Sequence, residues 1–250
     1  MMSVEQSLSN AVQACNNLTA AVNNKMSEID AEVDQQVVRI NNELASLNSR
    51  LPRILVSQNF LMLDADSNGL PDNWGFNSEL SLELVNTIIN ASQATGRPQD
   101  DVDLLVEIEN DVKEIYPDFD IRESQYYRSN FNVWQMSWAT RNASTYLAYP
   151  YAADQTSSAG AVAVPQNSYL TLGAFVKVID GNISGQWANG AVVGKWRWCS
   201  TVISPSKSFG TYSHLHPYRD TASGVVQVAL AGACTGVVTH PGEWFAMMQL

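Results

Sequence analysis

The N-terminal part of the fold is decided by residues 4–51, which read VEQSLSNAVQACNNLTAAVNNKMSEIDAEVDQQVVRINNELASLNSRL. This stretch contains neither Gly nor Pro, the two residues that most weaken or break a helix. Its apolar residues recur every three or four positions, so on a helix they form one stripe, which we call the seam. The seam consists of Val4, Leu8, Ala11, Cys15, Leu18, Val22, Met26, Ile29, Val33, Val37, Ile40, Leu44, Leu47 and Leu51. The remaining surface is polar, so residues 1–51 are predicted to form a coiled-coil stalk, a single long helix whose seam packs against other chains.

The spacing of the seam predicts the shape of the resulting bundle. Its 13 steps cover 47 residues, a mean of about 3.6 residues per step, slightly above the 3.5 of a regular coiled coil. Consecutive steps of four, at Leu18–Val22–Met26 and at Ile29–Val33–Val37, locally unwind the supercoil. We expect a nearly straight parallel coiled coil, roughly 70 Å long. A hairpin within one chain needs a turn that this stretch does not supply, and the mixed seam residues do not distinguish two helices from three.

The charge of the chain is unevenly distributed over its 250 residues, whose net charge is −11. Residues 52–125 carry 15 acidic and 4 basic residues, whereas residues 126–250 carry 4 acidic and 7 basic ones. The acidic first half argues against a nucleic-acid partner. The C-terminal half is poor in charge and rich in aromatic, Ser, Thr and Asn residues, which suits uncharged partners such as glycans.

Three further features limit the class of protein. The cysteines, Cys15, Cys199 and Cys234, are odd in number and scattered, which predicts neither a disulfide framework nor a zinc site. The N-terminal residues MMSVEQSLSN lack the basic and apolar regions of a signal peptide. No apolar run approaches 18 residues, so we expect no membrane insertion.

Residues 52–250 are predicted to form one mainly β head domain that begins where Pro52 ends the helix. Residues 99–116 interrupt it with an amphipathic helix, because their apolar residues recur at helical spacing. Short segments rich in β-branched and aromatic residues, separated by turn residues, predict an antiparallel β-sandwich. These segments are 53–56, 79–90, 126–139, 144–150, 169–179, 190–204, 210–218 and 224–231.

Residues 64–72 contain the most specific short motif of the chain, D-x-D-x-N-G-x-x-D. Its oxygen ligands would be the side chains of Asp64, Asp66, Asn68 and Asp72 and the carbonyl of Leu70, which match the first half of a calcium-binding loop. The glutamate that completes an EF-hand loop is replaced by Gly75. Two interpretations stay open: a Ca²⁺ site with an incomplete ligand set, or an Asx-rich turn without metal.

Four segments carry a resemblance to a known family. Residues 25–34, KMSEIDAEVD, are typical of repeats in fibre stalks, and residues 59–74 contain N-F-L, D and G-L-P-D-N-W in the order found at the start of jelly-roll carbohydrate-binding modules. Residues 169–177 and 242–250 look like a middle and a last strand of that fold. The chain therefore resembles bacteriophage tail fibre proteins with a coiled-coil stalk and a β-sandwich head.

The resemblance implies a homotrimer on the virion that attaches the phage to the host cell surface. Its head would have a jelly-roll-like fold and bind surface polysaccharide, and its N-terminus would bind other tail or baseplate proteins. A head fibre or decoration protein of the capsid, with the same design but no ligand, is the alternative. A polysaccharide-modifying enzyme is disfavoured, because the sequence has no G-x-S-x-G, H-E-x-x-H, P-loop or G-x-G-x-x-G motif.

Aromatic side chains are the candidates for glycan binding. Most of the seven tryptophans are expected in the core, since Trp is highly buried on average. Trp187 lies in the loop GQWANG, where an exposed ring would serve binding, and we group it with Tyr126 and Tyr127 as the candidate site. His214 and His216 have the spacing of a metal pair on a strand but no evident third ligand, so we expect two polar residues that point outward.

Overall fold

The computed structural model describes residues 3–50, 53–90, 96–121, 129–142, 144–153, 161–163, 168–205 and 212–249. It divides into two compact units, Met1–Pro52 and Arg53–Leu250. The described elements are a long helix in the first unit and antiparallel strands with two shorter helices in the second. The chain therefore belongs to the α+β class, as predicted. No helix in the described ranges is both long enough and apolar enough to cross a membrane.

Helix α1 spans Val4–Arg50 without interruption, which confirms the predicted long helix. It begins at a Ser-x-x-Gln capping sequence, in which the Ser3 hydroxyl accepts a hydrogen bond from the Gln6 N–H at 3.2 Å. The large apolar residues of the seam are exposed, with fractions that range from 48% at Val22 to 85% at Val4. Over its described length, α1 therefore exposes its apolar stripe.

The second unit is built from eleven strands in the described ranges. They are β1 Trp74–Phe76, β2 Ser81–Ile88, β3 Phe131–Trp138, β4 Ala148–Pro150, β5 Ala161–Ala163, β6 Leu170–Asp180, β7 Ile183–Ser184, β8 Trp196–Ile203, β9 Tyr212–His214, β10 Tyr218–Arg219 and β11 Gly224–Thr235. Five strands form one antiparallel sheet in the order β2-β3-β11-β6-β8. The other six form three antiparallel pairs, β1-β4, β7-β10 and β5-β9. The predicted strand at 53–56 is reduced to a single bridge between Leu55 and Cys234.

A β-bulge in the central strand β11 keeps its apolar residues on the correct faces. The register with β6 shifts between Ala229 and Gly232, and Leu230 adopts a left-handed backbone with φ of 51°. Val226 and Val228 before the bulge belong to the same core cluster as Ala231 and Ala233 after it. Because the bulge adds one residue, the residues that face this core have even numbers before it and odd numbers after it, and apolar residues stay in the core on both sides.

Both faces of the five-stranded sheet are covered. One face carries a core around Trp134, Met136 and Val176, to which residues of the small pairs β1-β4 and β7-β10 also contribute. The opposite face packs against helix α2, Gln99–Lys113, through its apolar stripe, which includes Leu105 and Ile108. Helix α2 confirms the predicted insertion, although it ends at Lys113, and two of its acidic residues, Asp101 and Glu109, are buried with the stripe.

The C-terminal segment corrects one expectation. Residues 242–250 were expected to form a last strand, but helix α3 spans Pro241–Ala246 and a 3-10 helix follows at Met247–Gln249. His240 caps α3 by accepting a hydrogen bond from the Gly242 N–H at 3.0 Å, and proline occupies the first helical turn. Trp244 is fully buried, and its indole N–H donates to the Leu230 carbonyl at 2.9 Å. The last strand is instead β11, in the middle of the sheet.

Candidate functional site

The predicted metal ligands do converge in the structure. Residues 64–72, which we call the acidic loop, bring Asp64, Asp66 and Asp72 together so that one carboxylate oxygen of each lies within 4.8 Å of the others. Asp66 is exposed, and Asp64 and Asp72 are partly buried. A hard divalent cation prefers such a set of oxygen donors.

Short-range hydrogen bonds explain why the sequence folds in this way. The carboxylate of Asp64 accepts from the N–H groups of Asn68 and Gly69, both at 2.9 Å, and the side chain of Asn68 accepts from the Leu70 N–H at 2.9 Å. Gly69 has φ of 83°, a conformation that favours glycine. Asp66 also accepts from the Asn68 N–H, at 3.2 Å. The Asp66–Asn68 and Asn68–Leu70 bonds each span two residues and are Asx turns, and the Asp64 bonds close the loop around them.

The ends of the acidic loop are fixed by Asn59. Its side-chain oxygen accepts from the Leu63 N–H at 2.8 Å, and its amide nitrogen donates to the carbonyls of Leu63 and Asp72 at 2.8 and 2.7 Å. Asp72 closes the loop by accepting from the Ala65 N–H at 2.9 Å. The side chain of one asparagine therefore holds together the two ends of a nine-residue segment.

The acidic loop fits both interpretations that the sequence left open. Each carboxylate oxygen that accepts one N–H bond retains a second lone pair, so the three aspartates could also ligate a cation. Asn68 and the Leu70 carbonyl complete the predicted set, but Gly75 offers no side-chain oxygen where an EF-hand has its glutamate. A bound cation would thus keep open positions for water or for oxygens of a ligand.

A groove of about 590 Å³ lies beside the acidic loop. Its lining combines the polar groups of Asp66, Asn68 and Asp72 with aromatic residues. Trp74 and Phe76 stack with their ring centroids 6.2 Å apart, and Tyr151 contributes a third aromatic side chain to the lining. Trp74 itself is 4% exposed, so Phe76 and Tyr151 present the accessible aromatic surface.

Tyr151 also belongs to a larger surface cluster, which we call the aromatic strip. It comprises Tyr146, Tyr149, Tyr151, His214, His216 and Tyr218. Neighbouring ring centroids are 5.1 to 6.3 Å apart, from the His214–His216 pair to the Tyr149–Tyr151 pair. Each of these side chains is partly or largely exposed. The strip is therefore a continuous aromatic surface that leads from the groove to His214.

The backbone of two adjacent segments positions the strip. In residues 214–219, the side chains of His214, His216 and Tyr218 are accessible, whereas Leu215, Pro217 and Arg219 are buried. The Leu147 N–H donates to the Pro217 carbonyl at 2.9 Å, and Tyr146 forms an antiparallel bridge with Tyr218. This pairing places the rings of the two segments side by side.

Two contacts fix individual tyrosines of the strip. The hydroxyl of Tyr146 donates to the Phe76 carbonyl at 3.1 Å. Tyr149 faces Gly75 across the β1-β4 pair, and a Cβ atom added at Gly75 would lie 2.4 Å from the tyrosine ring. Only glycine leaves room for this ring, so Gly75 fixes the position of Tyr149 in the strip.

The electrostatic environment favours uncharged rings in the strip. Burial raises the pKa of the Tyr149 hydroxyl, and its neighbours Tyr146 and Tyr151 raise it further. Burial also lowers the pKa of His216, and the adjacent His214 adds to this effect. Both shifts favour the neutral form near pH 7.

The ion pair between Arg219 and Glu79 stabilises the segment that carries the strip. Arg219 is fully buried and donates to the Glu79 carboxylate at 2.8 Å and to the carbonyls of Ser144 and Thr140 at 2.7 and 3.0 Å. The hydrogen bond from Arg219 is the largest factor that lowers the pKa of Glu79. These bonds tie residues 140–144 to the segment that carries Tyr218, so the guanidinium is engaged inside the head.

The expectation that Trp187 is exposed is wrong. The residue lies in a 3-10 turn, Gln186–Ala188, which directs the indole into the core, where it is 0% exposed and contacts Trp74 at a centroid distance of 6.4 Å. Gly185 and Gly190 indicated a loop correctly, but not the direction of the ring. Tyr126 and Tyr127 lie outside the described residues.

Sequence reasoning missed the aromatic strip as a unit, although it predicted that His214 and His216 point outward. The available signal was the alternation of His214, His216 and Tyr218 with Leu215 and Pro217, which marks three aromatic rings on one side.

Comparison of the chain with protein-family models, with curated protein sequences and with solved structures gave no match.

Proposed function

We propose that the protein is a homotrimeric tail fibre subunit of a bacteriophage virion, and that its head attaches the particle to glycans of the host cell surface. The observation that carries this proposal is the uncovered seam of α1, a 47-residue helix that exposes large apolar residues along its length. A continuous apolar stripe on an isolated helix is unstable in water without a partner. Identical stalks are the simplest partners, because in a parallel bundle each seam residue packs against the same residue of the neighbouring chains.

The head supplies the second part of the proposal. The aromatic strip and the groove beside the acidic loop combine accessible aromatic side chains with amide and carboxylate oxygens. Such surfaces suit ligands that have apolar faces and polar edges, as sugars do. Several heads at one end of a stalk would add weak contacts to a repetitive surface through multivalency.

The trimeric state and the jelly-roll-like sandwich are parts of the same proposal. The choice of three helices rests on the resemblance to tail fibres. A second layer over the five-stranded sheet is favoured by the small pairs β1-β4 and β7-β10, whose residues share one core with that sheet. The N-terminal end of the stalk would bind other tail or baseplate proteins.

We also propose Ca²⁺ as a ligand of the acidic loop. Asp64, Asp66 and Asp72 would hold it with the side chain of Asn68 and the carbonyl of Leu70. The ion would offset the mutual repulsion of three carboxylates and stiffen the wall of the groove.

The same stalk and head could serve a decoration protein on the capsid, and the aromatic strip is what favours a binding role. We propose no catalytic activity, because the sequence contains none of the catalytic motifs named above. Gold labelling of the protein on intact particles tests the assignment. Label at the tail tip is expected, and label spread over the capsid would contradict the tail fibre.

A further inference from the structure

We infer that the aromatic strip binds neutral polysaccharide, with successive sugar rings lying against Tyr149, His216 and Tyr218. This inference rests on the proposed attachment function and deepens it, since it names the surface and the ligand class. It replaces Trp187, whose buried ring cannot contact a ligand.

The side chains of the strip lie at the surface of the head. The core beneath them contains Leu147 and Leu215, both 0% exposed, and Tyr149 packs against this core with part of its ring. All six rings nevertheless remain partly or largely accessible and lie next to each other. Exposed aromatic clusters of this kind mark interaction surfaces.

The chemistry of the rings matches that of sugars. Tyr and His present an apolar ring face together with a polar edge that donates or accepts hydrogen bonds. A pyranose ring has the complementary shape, with C–H groups on its face and hydroxyls around its rim. An apolar peptide would cover the rings but remove the phenol hydroxyls of Tyr149 and Tyr218 from water, at a cost in desolvation.

The charge of the strip also favours neutral sugars. Within residues 144–151 and 214–219, the only Lys or Arg is Arg219, and its guanidinium is buried against Glu79 and two carbonyls. The exposed Arg141 donates to the Arg219 carbonyl at 2.8 Å, at the edge of the strip beside Tyr218. The rings of the strip therefore offer an acidic sugar no cation in exchange for its lost hydration, whereas a neutral sugar has no charge to desolvate.

The rings of the strip are held in position before any ligand binds. The Tyr146 hydroxyl is already bonded to the Phe76 carbonyl, the Tyr146–Tyr218 bridge joins the two segments, and Gly75 fixes the position of Tyr149. Rings that are held in place before binding lose little rotamer entropy when a ligand arrives. Because Tyr151 lines the groove and Tyr218 lies in the other segment of the strip, the surface accommodates several sugar units in a row.

The experiment uses the full-length protein on an array of neutral glucans, mannans and galactans together with uronic-acid and sulfated polysaccharides. Tyr149→Ala and Tyr218→Ala remove single rings, and Gly75→Ala displaces Tyr149 while retaining it. Tyr169→Ala is the matched control, since Tyr169 is 45% exposed, close to the 39% of Tyr218, and lies outside the strip. Thermal melting of every variant verifies that the head remains folded.

We expect the wild type to bind one or more neutral polysaccharides, with affinity lowered about tenfold or more by each strip variant and unchanged by Tyr169→Ala. If folded Tyr149→Ala and Tyr218→Ala variants bind as tightly as the wild type, the strip assignment is overturned while the attachment function stands. Preferential binding of acidic polysaccharides would overturn the ligand class. A wild type that binds no polysaccharide on the array would overturn the glycan-binding function itself.

Discussion

Replacement of Val33 and Val37 by aspartate is expected to separate the stalks into monomers. Both valines lie in the seam, and in the single chain they are 54% and 50% exposed. Burial of a whole valine side chain contributes about 1.5–3 kcal/mol, so the part that is still exposed contributes about 1 kcal/mol per residue when a partner covers it.

Aspartate removes this gain and adds a larger cost. A carboxylate inside a helix bundle is penalised by several kcal/mol, because no basic residue of the seam compensates it. For two positions the change is on the order of 5–10 kcal/mol per chain. This is comparable with the roughly 8 kcal/mol that holds together a complex with a Kd of 1 µM, so the variant should dissociate at micromolar concentration.

Sedimentation velocity measures the outcome directly. The control variant, Gln35→Asp with Asn42→Asp, adds the same two charges to the polar side of α1, because these positions lie about 180° from the seam at 100° per residue. We expect trimers for the wild type and the control, and monomers for the seam variant. A seam variant that sediments as the wild type does would refute the packing assigned to the seam.

Three further predictions concern the head. Asp64→Ala should lower its melting temperature in millimolar calcium but not in excess chelator, and an equal shift in both solutions would remove the Ca²⁺ proposal. The folded pKa of Glu79 lies below its ordinary 4.5, so the unfolded state takes up the proton first and stability falls as the pH drops below that value. Glu79→Gln should therefore destabilise the head at pH 7. In urea titrations, its free energy of unfolding should fall less steeply at acid pH than that of the wild type, and an unchanged fall would show that the Arg219–Glu79 ion pair does not stabilise the head. The folded pKa of His216 is likewise lowered from 6.5, so stability should decrease as the pH falls below 6.5, and His216→Phe should show a smaller decrease; an identical pH profile would show that His216 does not contribute.

The sequence predicted the elements whose pattern is local and repetitive. Helix α1 follows from the absence of Gly and Pro and from steps of three and four. Helix α2 follows in the same way from a stripe that includes Leu105, Ile108 and Val112, which the structure buries against the sheet. The convergence of the three aspartates in the acidic loop was predictable because they come from one short segment whose turns form locally.

Elements that depend on the tertiary fold were not predictable in the same way. In α3 and the 3-10 helix after it, the apolar residues Trp244, Phe245, Met247 and Met248 resemble a buried strand by composition, and only His240-Pro241 signals a helix start. Composition around Trp187 indicated an exposed loop, but its ring contacts Trp74, which is more than 100 positions earlier in the chain.

The aromatic strip joins two segments that are more than 60 positions apart, 146–151 and 214–218. Each segment alone contains only a few aromatic residues of ordinary spacing. The surface arises when the Leu147–Pro217 hydrogen bond and the Tyr146–Tyr218 bridge bring the segments together. Side-chain spacing within one segment cannot reveal such a pairing.

We propose that the stalk makes the head multivalent toward a surface glycan. Biolayer interferometry on an immobilised neutral polysaccharide chosen from the array, with the full-length wild type and the Val33→Asp/Val37→Asp variant, measures this multivalency. We expect saturable binding by both, with apparent affinity at least about 100-fold tighter for the wild type, because only it presents several heads at once. Equal apparent affinities would show that the stalk does not make binding multivalent, and a wild type that does not bind would show that the head has no such ligand.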